Sequence, residues 1–147
     1  MRTLALCFAL ILTLAPFQPA QAENLPTVTV WKSPSCGCCK GWVKHMQDSG
    51  FQVKVHDLDD LDKIKKMASI PEPFHSCHTA RVGNYMIEGH VPASDVKRLL
   101  ASKPAAHGLA APGMPAGSPG MEVGDRDPYD VLLFNPNGSS EVFSSYK

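Results

Sequence analysis

The stretch SPSCGCCKGW, residues 33–42, puts three cysteines into four positions directly behind a short β-branched run, TVTVW at 27–31. That run predicts a strand. Pro34 and Ser35 break it, and Ser35 or Cys36 can cap the helix that follows. Beyond the cap, Cys39, Trp42, Val43 and Met46 recur at i, i+3, i+4 and i+7, one face of a helix, with Lys40, Lys44 and Gln47 off that face. Gly50 supplies the stop. A strand that hands over to a helix whose first turn carries the thiols constrains fold and chemistry together. The unpaired N–H groups and dipole of a helix N-terminus favour thiolate. Thiolate is both the attacking species in disulfide exchange and the form that binds metal, so position alone does not separate the two.

The rest of the chain extends the same alternation. FQVKVHDL (51–58) reads as a second strand, and DDLDKIKKMAS (59–69) as a helix with acids in its first turn and lysines later, which suits the helix dipole. Leu61, Ile64 and Met67 or Ala68 form its apolar stripe, leaving Lys63, Lys65 and Lys66 as a solvated face. HTARVGNYMIEG (78–89) holds two strand-like runs around Gly83-Asn84, a hairpin turn signal. VPASDVKRLLAS (91–102) is a third helix with Pro92 near its first position and Val96, Leu99 and Leu100 inward. The order β-α-β-α-β-β-α is that of an α/β, thioredoxin-like fold, and Cys36-x-x-Cys39 falls where that fold carries such a pair, at the start of the first helix. Residues 103–128 change character: rich in Pro, Gly and Ala, without periodicity, and with Pro-Gly-Met at both 112–114 and 119–121. A loop of that length is expected to be functional or disordered. YDVLLF (129–134), the turn NPNG and EVFSSY (141–146) then make a C-terminal β-hairpin, so the loop is held at both ends.

Residues 1–22 stand apart from this plan. Arg2 is followed by the apolar run LALCFALILTL (4–14) and by AQA at 20–22, the pattern of a secretory signal peptide, with a run too short to anchor in a bilayer. Cys7 leaves with it, and residues 23–147 form one domain in this reading, exported to the periplasm with no membrane attachment after cleavage. Without Arg2 the chain has 13 basic against 14 acidic side chains, no electrostatic basis for holding nucleic acid.

Cys36, Cys38, Cys39 and Cys77 remain in an oxidising compartment, where an even number of cysteines ordinarily means disulfides. A two-disulfide domain fits poorly here, because three thiols in four residues close no long loop among themselves, and joining adjacent Cys38 and Cys39 would force strained backbone. In a thioredoxin-like fold the strand after the second helix begins beside the CxxC. Here that stretch is FHSCHTA (74–80), with Cys77 and His78 where a proline is usual, which puts them opposite Cys36 and Cys39. An extra thiol permits scrambling in a two-thiol exchange enzyme but helps to hold a soft metal. Thiolate and thioether select Cu(I), and imidazole suits copper in either state. Met114 and Met121 on the loop are candidate thioether ligands or site covers; Met46, on the apolar helix face, is core. His45 and His56 read as surface or strand-face residues, His75 and His90 stay open as site residues, and His107 is unassigned.

KSPSCGCCKGW, SCHTA, EGHVP, PGMP with GSPGME, and DPYDVLLF, taken together and in order, resemble the CopG-type family of small periplasmic proteins encoded with copper-resistance systems, long filed as a domain of unknown function. The resemblance runs from about Val28 to Tyr146. It implies a thioredoxin-like fold, copper binding at Cys36, Cys38 and Cys39 with Cys77 and His78 as the second element, and redox chemistry of copper. More sulfurs than one ion can use would permit more than one copper ion, and other periplasmic copper-handling proteins are the expected partners. Two other readings compete. A thiol–disulfide oxidoreductase would use Cys36 and Cys39, against which stands the missing proline. A structural zinc site would use Cys36, Cys39, Cys77 and His78, leaving Cys38 and both loop methionines idle.

Overall fold

A computed structural model describes residues 25–147. The signal peptide expected over 1–22, with Cys7, lies outside the described residues. These form three α-helices, a short 3-10 helix at Glu72–Phe74 and one seven-stranded sheet. In chain order the elements are β1 (Val28–Lys32), α1 (Gly37–Asp48), β2 (Val53–Asp57), α2 (Asp62–Met67), β3 (His78–Val82), β4 (Tyr85–Gly89), α3 (Ala93–Ser102), β5 (Gly108–Ala111), β6 (Tyr129–Phe134) and β7 (Ser140–Tyr146). The sheet order is β2-β1-β3-β4-β5-β6-β7. β1 runs parallel to β2 and antiparallel to β3, which forms a hairpin with β4 through Gly83-Asn84. This is the thioredoxin-like α/β arrangement expected from the element order, with the C-terminal hairpin β6–β7 added to the same sheet.

The strand–helix alternation is legible in the packing. Successive strand residues face opposite sides of a sheet. Val28, Val30, Ala80, Val82, Ile87, Leu109 and Val131 join Trp42, Val43 and Met46 of α1 and Val96 and Leu99 of α3 in the main core. On the opposite face a smaller cluster of Ile70, Phe74, Met86, Ala110 and Phe134 lies under α2 and the 3-10 helix. Met46 is fully buried core, as its helix face implied. Trp42 is also fully buried, and its indole N–H donates to the Val91 carbonyl at 2.8 Å, tying α1 to the segment that opens α3. Truncating a side chain of that size to Ala would cost roughly 3–5 kcal/mol.

Two expectations need correction. The Pro/Gly-rich loop is not structureless throughout: Gly108–Ala111 is a strand, buried at all four positions and parallel to β4. Gly-Leu-Ala-Ala carries little β-propensity, but Gly108 lies so close against the Met86 backbone that a Cβ there would collide with it. Tertiary fit, not propensity, sets this strand. The second correction concerns α2, whose lysines are not uniformly solvated. Lys65 is 4% exposed while Met67, assigned to the apolar stripe, is 74% exposed. Lys65 turns under the sheet because a buried carboxylate, Glu88 of β4, stands there to receive it.

Candidate metal centre

β1 ends at Lys32 and the chain turns through Ser33–Ser35 into α1. Cys36 is the N-cap: it has extended backbone, and its Sγ accepts the Cys39 N–H at 3.3 Å. The sulfur thus takes the role that a Ser or Asp oxygen usually has, pairing one of the free N–H groups of the first turn. Cys36 and Cys39 are joined as a disulfide, with Cα atoms 5.4 Å apart. Cys38 and Cys77 are free thiols, and each lies against one end of that bond: Cys38 Sγ is 3.4 Å from Cys36 Sγ, and Cys77 Sγ is 3.5 Å from Cys39 Sγ.

Cys77 comes from the other side of the site, immediately before β3. Besides Cys39, its sulfur meets His90 Nε2 at 2.8 Å and His78 Nδ1 at 3.4 Å. Two donor sets result, each with its ligand atoms within 4.8 Å of one another: Cys36, Cys38, Cys39 and Cys77, and Cys77, His78 and His90. Cys77 belongs to both. The geometry thus brings Cys36, Cys38 and Cys39 to Cys77, and brings His78 to Cys77 together with His90, which the sequence left open.

The electrostatics suit cation capture. Burial pushes the Cys77 thiol up to about 12, and the neighbouring Cys38 adds to the shift. Hydrogen bonds from Ser76 and the backbone oppose that rise only in part, whereas a bound metal would deprotonate the thiol outright. Burial, then the charges of His90 and Lys65, hold His78 well below the usual histidine range, and burial likewise lowers His90. Both rings are neutral at pH 7, the form in which imidazole coordinates metal. His90 Nδ1 lies 2.7 Å from the Pro119 carbonyl. A carbonyl only accepts, so the proton of the neutral ring is on Nδ1, and Nε2 presents its lone pair to Cys77. A second ring nitrogen anchored on a backbone carbonyl is the usual support of a metal-ligating histidine. His78 is fully buried, and its Nε2 has no hydrogen-bond partner among the described residues, a condition that costs about 1–3 kcal/mol unless something fills it.

The long loop closes this side through its two Pro-Gly-Met repeats. Gly113 donates its N–H to the His75 carbonyl at 3.1 Å, and its own carbonyl accepts from Ser76 Oγ, next to Cys77. Gly120 rests on the first turn of α1: a Cβ on it would meet the Cys38 carbonyl and Trp42 N, and one on Gly41 would meet Gly120 Cα at 2.9 Å. Both glycines have positive φ, +70° and +86°. Each repeat thus ties down one of the two cysteine-bearing segments. Met114 is 55% exposed, whereas Met121 is half-buried directly after the docked Gly120.

The other histidines have structural partners. His75 Nε2 pairs with the Ile70 carbonyl at 3.0 Å, His107 Nε2 with that of Ala68 at 2.6 Å, and His56 stacks on Trp31. His45 is no simple surface residue, since its Nε2 accepts the Ala93 N–H at the start of α3, at 3.0 Å. Sequence reasoning missed the Pro119 carbonyl and Gly120, which carry no side-chain signal, and the Lys65–Glu88 pair. A glutamate inside YMIEG, a strand buried on both faces, was the available signal for that pair.

Comparison with known proteins follows the same lines. A family model described as "Protein of unknown function, DUF411" matches residues 74–121. No curated protein matches. Two solved structures do. "Copper resistance protein copG- Form 1" is 40% identical, with a TM-score of 0.77 over 83% of this chain and 98% of that one. "Copper resistance protein copG- Form 2" is 39% identical, with a TM-score of 0.78 over 84% of this chain and 99% of that one.

Proposed function

Because the chain belongs to the family of the copper resistance protein CopG, we propose that it is a periplasmic copper-binding protein of copper resistance, exported by a signal peptide at residues 1–22, whose domain of residues 23–147 takes up Cu(I) at Cys36, Cys38, Cys39 and Cys77 with His78 and His90. The observation that carries this reading is the position of Cys77, shared between a four-sulfur set and a Cys-His-His set. One bridging thiolate between two donor sets suits more than one ion, and sulfur with neutral imidazole suits copper in both oxidation states. Met121, next to the docked Gly120, is the better placed thioether; Met114 at 55% exposure is suited to first contact with copper arriving from other copper-handling proteins.

The Cys36–Cys39 disulfide supports a redox role as well. Two Cu(I) ions give up one electron each, the disulfide takes both and opens to two thiolates, and two Cu(II) result. The reverse reaction re-forms the bond and returns Cu(I). A structural zinc site of Cys36, Cys39, Cys77 and His78 would leave Cys38 and His90 without a role.

Anaerobic preparation of the reduced chain, followed by metal analysis and titration with Cu(I) against a competing chelator, tests the proposal. Copper bound at more than one equivalent is expected, and the stoichiometry should fall when the Cys36–Cys39 bond is closed, because Cys38, Cys77, His78 and His90 then remain to hold the Cu(I) that reduces it. One equivalent of zinc and no copper would replace this reading with the structural zinc site. No metal at all would leave thiol–disulfide exchange.

A further inference from the structure

Beneath the copper-binding residues, on the α2 face of the sheet, lies a buried ion pair that the proposed chemistry does not use. Glu88 is 0% exposed and Lys65 is 4% exposed. The Glu88 carboxylate receives three donors: Lys65 Nζ, the Ser76 backbone N–H at 2.7 Å and Thr79 Oγ1 at 2.6 Å. Lys65 Nζ also donates to Thr79 Oγ1 at 3.1 Å. Thr79 and Glu88 are cross-strand partners in the β3–β4 register, so their side chains share a face, and His78 points to the other one.

The positions of these groups along the chain are the informative part. Ser76 and Thr79 bracket Cys77-His78, and Glu88 stands two residues before His90. One carboxylate therefore grips the segment carrying two proposed ligands from both ends, and it does so from the strand that leads directly into the third. Stability does not account for such a pair. Desolvating two charges offsets much of their attraction, and apolar residues of similar volume are often as stable or more so. What an apolar pair cannot supply is the directional hold on the Ser76 N–H and the Thr79 hydroxyl.

We propose that Glu88, with Lys65 as its counter-charge, is a positioning residue for the metal centre, fixing Cys77 and His78 relative to His90 and the helix cysteines. This rests on the copper-binding reading, and its test has an arm that does not. The variant to make is the double substitution Lys65→Met with Glu88→Leu, which removes both charges while keeping bulk, so that no lone charge is left buried to unfold the domain; Glu88→Gln in the same Lys65→Met background, which keeps an oxygen to accept the Ser76 N–H, is the conservative partner. The double variant should keep its thermal transition, while Cu(I) affinity measured against a chelator falls about 10-fold to 100-fold, the usual effect of removing an outer support of a metal site. Glu88→Gln should recover part of that loss. In the copper-free reduced protein, Cys77 alkylation in a Cys36→Ser/Cys38→Ser/Cys39→Ser background should accelerate several-fold, and the ring signals of His78 and His90 should shift in NMR spectra. Parental copper affinity in a folded double variant overturns the proposal. If the parent chain binds no copper, the copper reading fails by itself, and parental alkylation rate and ring signals then overturn the positioning role on their own.

Discussion

The two halves of the sulfur cluster are built in different ways. Cys36, Cys38 and Cys39 sit within one turn of α1, and their geometry is local: a cap, a helix and a disulfide across three residues fix it. Cys77, His78 and His90 are an assembled half. They come from the start of β3 and the end of β4, and they are held by strand pairing, by the Glu88 carboxylate and by the Pro119 carbonyl of the long loop. The local half has sulfurs alone; the assembled half adds the imidazoles. A helix turn places thiols cheaply in sequence terms but offers one face, so a second kind of donor has to be brought from elsewhere in the fold.

Substitution of the cysteines gives the sharpest contrast between the halves. Positions 36 and 39 share a helix face, and 38 is rotated by about 100° from its neighbour. Cys36→Ser and Cys39→Ser are each expected to abolish tight Cu(I) binding, whereas Cys38→Ser lowers stoichiometry or weakens it. Cys77→Ala should match the loss in Cys39→Ser without unfolding the domain, because Cys77 is half-buried and outside both apolar clusters. Chelator competition on the four variants reads the order. Full affinity in Cys77→Ala would break the comparison, since the assembled half would then contribute nothing.

Legibility in the sequence follows the same division. Helix periodicity from Cys39 to Met46, the Gly83-Asn84 turn and the alternating strands are local patterns, and they gave the element order. Cys77-His78 was placed only by carrying the fold's topology across to FHSCHTA. What depended on tertiary contact stayed hidden. His75 is only two residues from Cys77, yet it turns to the Ile70 carbonyl, while His90, thirteen residues away, meets Cys77 at 2.8 Å. Lys65 read as solvent-facing because its partner is a strand residue twenty-three positions on. β5 opens on a glycine, against strand propensity, because a Cβ at position 108 would collide with the Met86 backbone.

The loop joins the halves, and its two repeats predict unequal effects. Gly113 and Gly120 share the sequence Pro-Gly-Met and a positive φ. A Cβ on Gly113 meets nothing within 4 Å, so Gly113→Ala costs only the left-handed backbone, about 1–2 kcal/mol. A Cβ on Gly120 meets Trp42 N at 2.6 Å and the Gly41 backbone at 3.1 Å. Gly120→Ala should therefore cost about 3 kcal/mol or more, or lift the loop from α1. Lifting it removes the Pro119 carbonyl from His90, so copper affinity should fall with it. Denaturant unfolding with chelator competition separates the two outcomes, and equal effects of both substitutions would mean that the loop does not hold the site.

The smallest effect comes from the joint between α1 and α3. His45 accepts the Ala93 N–H at 3.0 Å, three residues past His90, so the helix bearing the local half is fastened to the segment that leaves the assembled half. Burial lowers the His45 pKa from 6.5, with Glu122 and Asp48 opposing that shift. The folded state thus binds fewer protons than the unfolded one between the lowered value and 6.5. Stability from this contact is complete above the unfolded value and is lost as pH falls through the folded one. An imidazolium has no lone pair for Ala93, so the loss is about that of one hydrogen bond, about 1 kcal/mol. Gln at position 45 keeps an oxygen acceptor that does not titrate. Unfolding of the copper-free parent and His45→Gln at pH 7.5 and 5.5 should show the parent losing more stability on acidification. His78 and His90 titrate in both proteins, so the difference isolates His45. Identical losses would mean that this joint does not respond to pH, and that the halves are fastened there by Trp42 and the Val91 carbonyl alone.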